Sequence, residues 1–200
     1  GGIYCPESQY IVPIMVTGAD NVDSISLSLI FSPQTLTFLS YRQVNPILQT
    51  GFPDVQSSEN RVTFTWRSDA PVSITNDKLL ELIFRTGHTP GILSFDESRS
   101  LFRVYGGGQV VTQYINAEIE LFPSLFVELE ELDATCSGKC DANIVAFVSG
   151  GLKPYSYLWN GETSIFDSIR TGACSGVNNL MVSDGNGCIL DTNFVVSQLP

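Results

Sequence analysis

The most reactive side chains of this 200-residue chain belong to five cysteines, and their spacing is uneven. Cys5 stands alone near the start, whereas Cys136, Cys140, Cys174 and Cys188 lie in the last third of the chain. A four-cysteine zinc site normally uses two close pairs of ligands, which these four residues do not supply. We therefore predict no metal site but two disulfides, which form and persist in an oxidising compartment.

Few other side chains are placed for catalysis. His88 is the single histidine, and a histidine alone in a turn is more often solvated than catalytic. Carboxylates adjoin at Asp96–Glu97 and Glu130–Glu131, but neighbouring residues of a strand point to opposite faces, so neither pair forms an acid–base couple. Gly106–Gly108 lacks the context of a phosphate-binding loop and predicts a hairpin turn. We predict no catalytic residue, no cofactor and no enzyme, with a glycosidase built from distant carboxylates as the remote alternative.

The charge balance narrows the classes of partner. The chain carries 21 acidic and 10 basic residues, a formal net charge of −11. Nucleic acids and anionic membranes attract clustered Lys and Arg, so we predict neither as a partner. No apolar run approaches the roughly 20 residues of a membrane-spanning helix, which predicts no membrane insertion. The acidity favours solubility; acidic patches that hold calcium or repel neighbours are the alternative.

Alternation of apolar and polar residues predicts the elements that position these groups. The pattern is clear over residues 24–31, 62–66, 118–121 and 155–159 and is typical of half-buried antiparallel strands. Gly, Pro, Asn and Asp interrupt the runs at short intervals, and many short strands with such breaks indicate a sandwich or a barrel. The longest stretch without a pattern, residues 42–60, predicts a surface loop.

The chain divides in character near Phe122-Pro123-Ser124, with one cysteine before this point and four after it. We predict an all-β fold of two tandem β-sandwich modules, residues 1–122 and 123–200. Strands of the second module are expected over residues 125–132, 142–148, 155–159, 177–183 and 189–197.

Three motifs follow one another in the second module. They are Ser149-Gly150-Gly151-Leu152-Lys153-Pro154-Tyr155-Ser156-Tyr157-Leu158-Trp159, then Gly172-Ala173-Cys174-Ser175-Gly176, then Val182-Ser183-Asp184-Gly185-Asn186-Gly187-Cys188. In this order they resemble the SprB-type repeat of gliding-motility adhesins over about residues 125–200. The sequence departs from that family at Val177-Asn178-Asn179, where a Tyr-Thr-Val strand is usual.

The aromatic and acidic residues of these motifs have structural explanations. Tyr155, Tyr157 and Trp159 are expected to fill a small core, with an exposed sugar-binding platform as the alternative. Asp184–Gly187 predicts a hairpin turn. A calcium site at Asp184 and Asn186 is the alternative there, although one turn supplies few ligands.

The cysteine pairing follows in part from an immunoglobulin-like strand order. Cys140 would open the second strand and Cys174 the sixth, at the same end of the sandwich, which predicts a Cys140–Cys174 disulfide. Cys136–Cys188 then follows by elimination, although Cys188 starts the last strand at the opposite end. Cys5 has no partner in its own module, so we expect it to be unpaired or to form an intermolecular link.

The first module has an order of strands that resembles a known family. The order is Tyr10–Val16, Val22–Phe38, Arg61–Trp66 and Leu79–Phe84. It resembles a cohesin-like jelly-roll domain over about residues 4–122. The resemblance implies either binding of a dockerin through one sheet face or a spacer role in giant surface proteins. It identifies no residue as a dockerin contact.

Two serines match a modification pattern. Asp23-Ser24-Ile25 and Asp167-Ser168-Ile169 resemble the D-[ST]-aliphatic O-glycosylation pattern of some bacteria with such adhesins. Ser24 and Ser168 are therefore candidate O-glycosylation sites, with ordinary strand-edge serines as the alternative.

These observations predict a structural or adhesive segment of a large modular protein or fibre, extracellular and on the bacterial cell surface. Its partners would be other modules or copies of the same protein. The alternative is a specific binding module that recognises a dockerin-like protein or surface glycans.

Overall fold

The computed structural model describes residues 2–110, 113–132, 134, 139–162 and 167–197. The chain forms two compact units, Gly1–Leu121 and Phe122–Pro200. Within the described residues, regular structure consists of strands and two short 3-10 helices, Pro46–Thr50 and Glu97–Arg99, so the all-β prediction is confirmed. None of the helices in this part of the chain has the length and apolar character needed to cross a membrane.

The first unit is a sandwich of two sheets. The large sheet has the order β1-β11-β8-β3-β6-β5, with β9 also paired to β3 and β10 paired to β9. The small sheet has the order β2-β7-β4. The strands are β1 Gly2–Tyr4, β2 Gln9–Val16, β3 Ala19–Ile30, β4 Leu36–Arg42, β5 Asp54–Ser58, β6 Arg61–Ile74, β7 Asp77–Thr86, β8 Gly91–Phe95, β9 Leu101–Val104, β10 Gly108–Gln109 and β11 Ala117–Leu121.

The core of the first unit lies between these sheets because alternate residues of each strand point inward. Every second residue of β6 from Val62 to Trp66 is buried, and the indole N–H of Trp66 donates to the Leu48 carbonyl at 2.8 Å. Phe84 of β7 packs edge-on against Phe31 and Phe38, with ring centroids 5.2 and 5.5 Å apart. Each fully buried ring of this kind contributes on the order of 2 kcal/mol.

The prediction of a surface loop over residues 42–60 is wrong, because this stretch holds a 3-10 helix and the strand β5. The side chain of Asn45 accepts a hydrogen bond from the Ile47 N–H at 3.0 Å and caps the helix, whose Leu48 is buried. Strand β5 is an edge strand that pairs with β6, and only Val55 among its residues is partly buried. An edge strand so rich in polar residues shows no alternation in its sequence.

The second unit has the two-sheet pairing of an immunoglobulin-type sandwich. Three strands form the sheet β12-β13-β15, and three form the sheet β14-β16-β17. Apolar residues of both sheets, with Trp159 among the most buried, make one core. The strands are β12 Phe126–Leu132, β13 Ala142–Ser149, β14 Ser156–Trp159, β15 Ile169–Ala173, β16 Gly176–Ser183 and β17 Ile189–Val196.

Candidate binding face

The outward side chains of β9, β3, β6 and β5 form one continuous surface, which we call the hydroxyl-rich face. Its direction follows from the alternation, since Ile25, Leu27 and Leu29 of β3 are buried in the core. Serine, threonine and arginine dominate the face. Its residues are Leu101, Arg103, Ser24, Ser26, Ser28, Ile30, Arg61, Thr63, Thr65, Arg67, Asp54, Gln56 and Ser58, of which Ser28 is itself buried, at 1% exposed.

The strand register arranges these side chains in cross-strand rows. At one end, Ser24 of β3 lies between Arg103 of β9 and Arg67 of β6. Neighbouring strands are about 4.8 Å apart, so the two arginine Cα atoms are roughly 10 Å apart. The next rows contain hydroxyls. They are Leu101–Ser26–Thr65–Asp54 and Ser28–Thr63–Gln56.

Arg61, at the other end of the face, is already neutralised. Its Nη1 donates to Asp96 Oδ2 at 2.7 Å and also to the Ser28 hydroxyl. The Ser98 hydroxyl donates to the same carboxylate, and these two contacts hold the pKa of Asp96 below its ordinary value. The Asp96–Glu97 stretch therefore includes a structural anchor for Arg61 rather than a catalytic acid.

Arg67 and Arg103 differ from Arg61 because their side chains are exposed and form no hydrogen bond or ion pair with another described residue. Their strands flank Ser24 on β3, in a chain with a net charge of −11. Two unpaired cations at this spacing are positioned to contact an acidic group of a partner. Such contacts strengthen when an interface excludes water.

On the outer face of the small sheet, by contrast, the basic side chains form ion pairs with acidic side chains of the same chain. Glu81 of β7 contacts Lys78 and Arg42, each at 2.7 Å. Hydrogen bonds from Lys78 and then Arg42 lower the pKa of Glu81. Arg85 lies 3.5 Å from Glu7, which also contacts His88 at 3.3 Å. The basic groups of this face thus have acidic neighbours within the chain.

The predicted cysteine chemistry is present in part. A disulfide joins Cys140 and Cys174, which flank the adjacent strands β13 and β15. Cys136 lies outside the described residues, so its pairing with Cys188 stays a prediction. Cys5 is disulfide-bonded, which removes the unpaired alternative for this residue. Among the residues that the structure describes, no group of three or more His, Cys, Asp or Glu side chains is placed to hold a metal ion.

The two candidate glycosylation sites have the same local geometry. Ser24 and Ser168 are both half-buried, and each hydroxyl donates to the carboxylate of the preceding aspartate, Asp23 or Asp167, at 3.2 Å. Ser24 lies on the hydroxyl-rich face, and Ser168 lies just before β15. Glycosylation of either serine stays a prediction.

The alternative of a sugar-binding platform at Tyr155–Trp159 is wrong, because the largest ring faces the core. Trp159 is 1% exposed, donates its indole N–H to the Asp167 carbonyl at 2.9 Å, and packs edge-on against Phe194. The Tyr155 hydroxyl donates to the Gly150 carbonyl at 2.6 Å. Burial, followed by the neighbouring Tyr155 and Asp167, raises the pKa of Tyr157.

Asp184 is a structural carboxylate rather than half of a calcium site. Its Oδ2 accepts from the Leu152 N–H, and its Oδ1 accepts from the N–H groups of Asn186 and Cys188, all at 2.9 Å. Burial by itself would raise the pKa of Asp184, but these backbone donors lower it below the ordinary value. Gly151 permits this approach, since a Cβ there would lie 2.6 Å from Oδ2.

Comparison with known proteins identifies the fold of the first unit. No family model and no curated protein matches the chain. Solved cohesin structures match 60% of it. A cohesin of ScaC from Acetivibrio cellulolyticus, in complex with the ScaB dockerin, has 14% identity, a TM-score of 0.50 and 92% of its length covered. A non-cellulosomal cohesin from the archaeon Archaeoglobus fulgidus has 20% identity, a TM-score of 0.50 and 84% covered.

A third match, CaCohA2 in its complex with a variant of CaDoc0917, has 14% identity, a TM-score of 0.50 and 94% of its length covered. The protein comes from Clostridium acetobutylicum. The prediction of a cohesin-like fold for the first module is confirmed. The resemblance of the second module to the SprB-type repeat stays a prediction.

The sequence analysis did not identify Arg67 or Arg103. The signal for Arg67 was present, because it continues the outward series Arg61, Thr63, Thr65 on β6. No local pattern shows that β9 pairs with β3, so the placement of Arg103 beside Ser24 depends on the folded strand order.

Proposed function

We propose that the first unit is a protein-binding module and that a dockerin-like protein docks on its hydroxyl-rich face. The observation that carries this proposal is the pair of exposed, unpaired arginines, Arg67 and Arg103, on one face of a cohesin-like sandwich. The small sheet is less suited to this role because its basic groups already have acidic neighbours. The similar cohesin of ScaC forms a complex with a dockerin, which supports a partner of the same kind here.

The geometry suggests how such a partner would be held. A partner carboxylate would lie between the two guanidinium groups. The Ser24 hydroxyl, which donates to Asp23, can accept a hydrogen bond from a donor of the partner. The Thr63 and Thr65 hydroxyls can donate and accept, and the Ser26 hydroxyl, which donates to the Arg99 carbonyl, can accept. The three therefore suit a polar segment lying across the strands. The charged contact orients the partner. The serine and threonine side chains of the hydroxyl rows are short, so ordering them on binding costs little conformational entropy.

The test is calorimetric titration of dockerin-like proteins encoded in the same genome into the full chain. The double change Arg67→Glu and Arg103→Glu should weaken binding by at least about 100-fold, because it replaces two attractive contacts by repulsive ones. Arg85→Glu, on the outer face of the small sheet, is the matched control and should change affinity less than about twofold. Equal losses for both variants, or no complex with any such protein, would contradict the proposal.

A structural or adhesive role is the second candidate, and the exposed aromatic residues of the second unit favour it. Phe126 and Phe147 are 64% and 54% exposed on the outer face of the β12-β13-β15 sheet. Large exposed rings in one place are typical of interaction surfaces. The resemblance to gliding-motility adhesins supports the same role, with contacts between copies of the protein.

Sedimentation velocity over a concentration series tests this second role. Association between copies should appear in the unchanged chain and be lost in Phe147→Glu, because a charge would be buried at the contact. Val195→Glu, on the other sheet, should leave association unchanged. A chain that stays monomeric at every concentration would count against adhesion between copies.

The proposed location is the bacterial cell surface. The Cys140–Cys174 disulfide supports it, since such bonds persist in oxidising compartments. Thiol labelling of freshly isolated cells checks the location: Cys140 and Cys174 should be unreactive before reduction and the protein should be accessible to added protease. Reactive thiols at both positions would contradict an extracellular address.

A further inference from the structure

Phe52 lies at the edge of the hydroxyl-rich face, and its side chain is 85% exposed, the largest exposed fraction among the large apolar residues that the structure describes. Its N–H donates to the Arg67 carbonyl at 3.0 Å. Asp54 of β5 pairs with Thr65 of β6, and Phe52 and Arg67 continue this antiparallel register two residues further along each strand. Phe52 therefore lies directly opposite Arg67.

Two neighbours along the chain hold the backbone of Phe52 in this position. A Cβ atom at Gly51 would lie 2.3 Å from the Arg67 carbonyl oxygen and 2.6 Å from Nε1 of Trp66, so only glycine permits this close approach to β6. Pro53 disfavours the helical conformation for the residue before it and so keeps Phe52 extended. The ring is thus presented by a fixed backbone, and little conformational freedom is lost when a partner covers it.

One row across four strands combines charge, a hydroxyl and an aromatic ring. Arg103 of β9, Ser24 of β3 and Arg67 of β6 are neighbours in the register, and Phe52 follows Arg67 just before β5. We call these four residues the anchor row. Neighbouring strands are about 4.8 Å apart, so the Cα atoms of Ser24 and Phe52 are roughly 10 Å apart.

We propose that the anchor row recognises a protein partner that carries an acidic side chain and, roughly 10 Å from it, an apolar side chain. This inference rests on the proposed function, since it names the groups by which the partner of the same face is recognised. The acidic side chain contacts Arg67 and Arg103, and the apolar one packs on the Phe52 ring. Aromatic residues and arginine are both enriched at protein interfaces.

The composition of the row favours a protein over an acidic polysaccharide. Phenylalanine has no polar atom that could bond a sugar hydroxyl, whereas tyrosine and tryptophan have one. The Phe52 ring is stabilised most by an apolar neighbour that removes it from water. Polygalacturonate, a chain of carboxylated sugars, serves as the contrasting probe.

The experiment titrates the full chain and its variants with the dockerin-like proteins encoded in the same genome, at several salt concentrations and temperatures. Phe52→Ala should weaken binding by about tenfold to 100-fold. It should leave the salt dependence unchanged and make the heat capacity change of binding less negative, because only apolar burial is lost. Phe52→Leu should weaken binding by less than about fivefold, since it keeps an apolar side chain.

Tyr41→Ala is the matched control, because it removes an exposed aromatic ring from β4 of the small sheet. It should change affinity less than about twofold. Both residues are exposed, so Phe52→Ala and Tyr41→Ala should unfold at the same temperature as the unchanged chain.

A double-mutant cycle identifies the partner side chain that packs on the ring. Alanine replacement of this apolar residue in the partner should weaken binding to the unchanged chain but have little further effect on Phe52→Ala. The acidic residue of the partner should couple in the same way with Arg67→Ala. The two partner residues should lie roughly 10 Å apart, the spacing of the row.

The outcomes separate this inference from the proposed function. If the double change Arg67→Glu and Arg103→Glu weakens the complex but Phe52→Ala and Tyr41→Ala affect it equally, the docking face stands and the inference is overturned. No complex with any of these proteins overturns both. Binding of polygalacturonate that Phe52→Ala abolishes would show that the row recognises a sugar, which overturns the assignment of a protein partner.

Discussion

At the residue scale, Asp184 shows how one carboxylate fixes the local structure of the second unit. The side chain is buried, yet three backbone N–H groups surround its oxygens, from Leu152, Asn186 and Cys188. Charge-assisted bonds of this kind are stronger than neutral ones. Asp184 therefore joins the Gly150-Gly151 turn to the β16–β17 turn, two segments that are far apart in sequence.

We expect Asp184→Asn to lower the free energy of unfolding of the second unit by about 2 kcal/mol at neutral pH, because a neutral amide accepts fewer and weaker bonds. The folded-state pKa is lowered, so this stabilisation is present above the unfolded-state pKa of about 3.9 and is lost as the pH falls through the folded-state value. Amide hydrogen exchange in β16 measures the difference at neutral and acidic pH.

Glu128→Gln is the matched control for this experiment, since Glu128 is a carboxylate on another strand, β12, of the same unit. Its stability should match that of the unchanged chain at both pH values. A difference between Asp184→Asn and the unchanged chain that persists undiminished in strong acid would contradict the charge-assisted explanation.

At the scale of elements, strand prediction succeeded where one face of a strand is buried. Strand β6 alternates clearly because Val62, Phe64 and Trp66 face the core and polar residues face outward. Strand β5 was missed because it is an edge strand with one partly buried residue. Strand β15, Ile169–Ala173, was missed for a similar reason: only its last residue is fully buried.

The disulfide acts between two of these elements. Cys140 precedes β13 and Cys174 follows β15, with a sequence separation of 34 residues. We expect the double change Cys140→Ser and Cys174→Ser to destabilise the second unit by about 3 kcal/mol, chiefly because the unfolded chain becomes less constrained. Urea denaturation followed by circular dichroism checks this value.

Thr171→Ala serves as the control, because Thr171 is an exposed residue of β15 near the disulfide. Its free energy of unfolding should stay within about 0.5 kcal/mol of that of the unchanged chain. If the serine pair unfolds at the same midpoint as this control, the bond does not stabilise the second unit.

At the scale of the whole molecule, the sequence predicted the fold class and the cohesin-like character of the first module, but not the candidate site. Alternation along each strand determines which residues point outward, and this can be read from the sequence of that strand alone. The order of strands in the large sheet is not local, so the row that joins Arg103, Ser24 and Arg67 could not be predicted.

The position of Ser24 between Arg103 and Arg67 links two properties that the sequence presents as unrelated. A sugar attached to that hydroxyl would occupy the space that a docking carboxylate needs. Molecules glycosylated at Ser24 would then not bind the partner, whereas unmodified molecules would bind it. If Ser24 is glycosylated, the extent of that modification would therefore set the fraction of molecules that can bind the proposed partner.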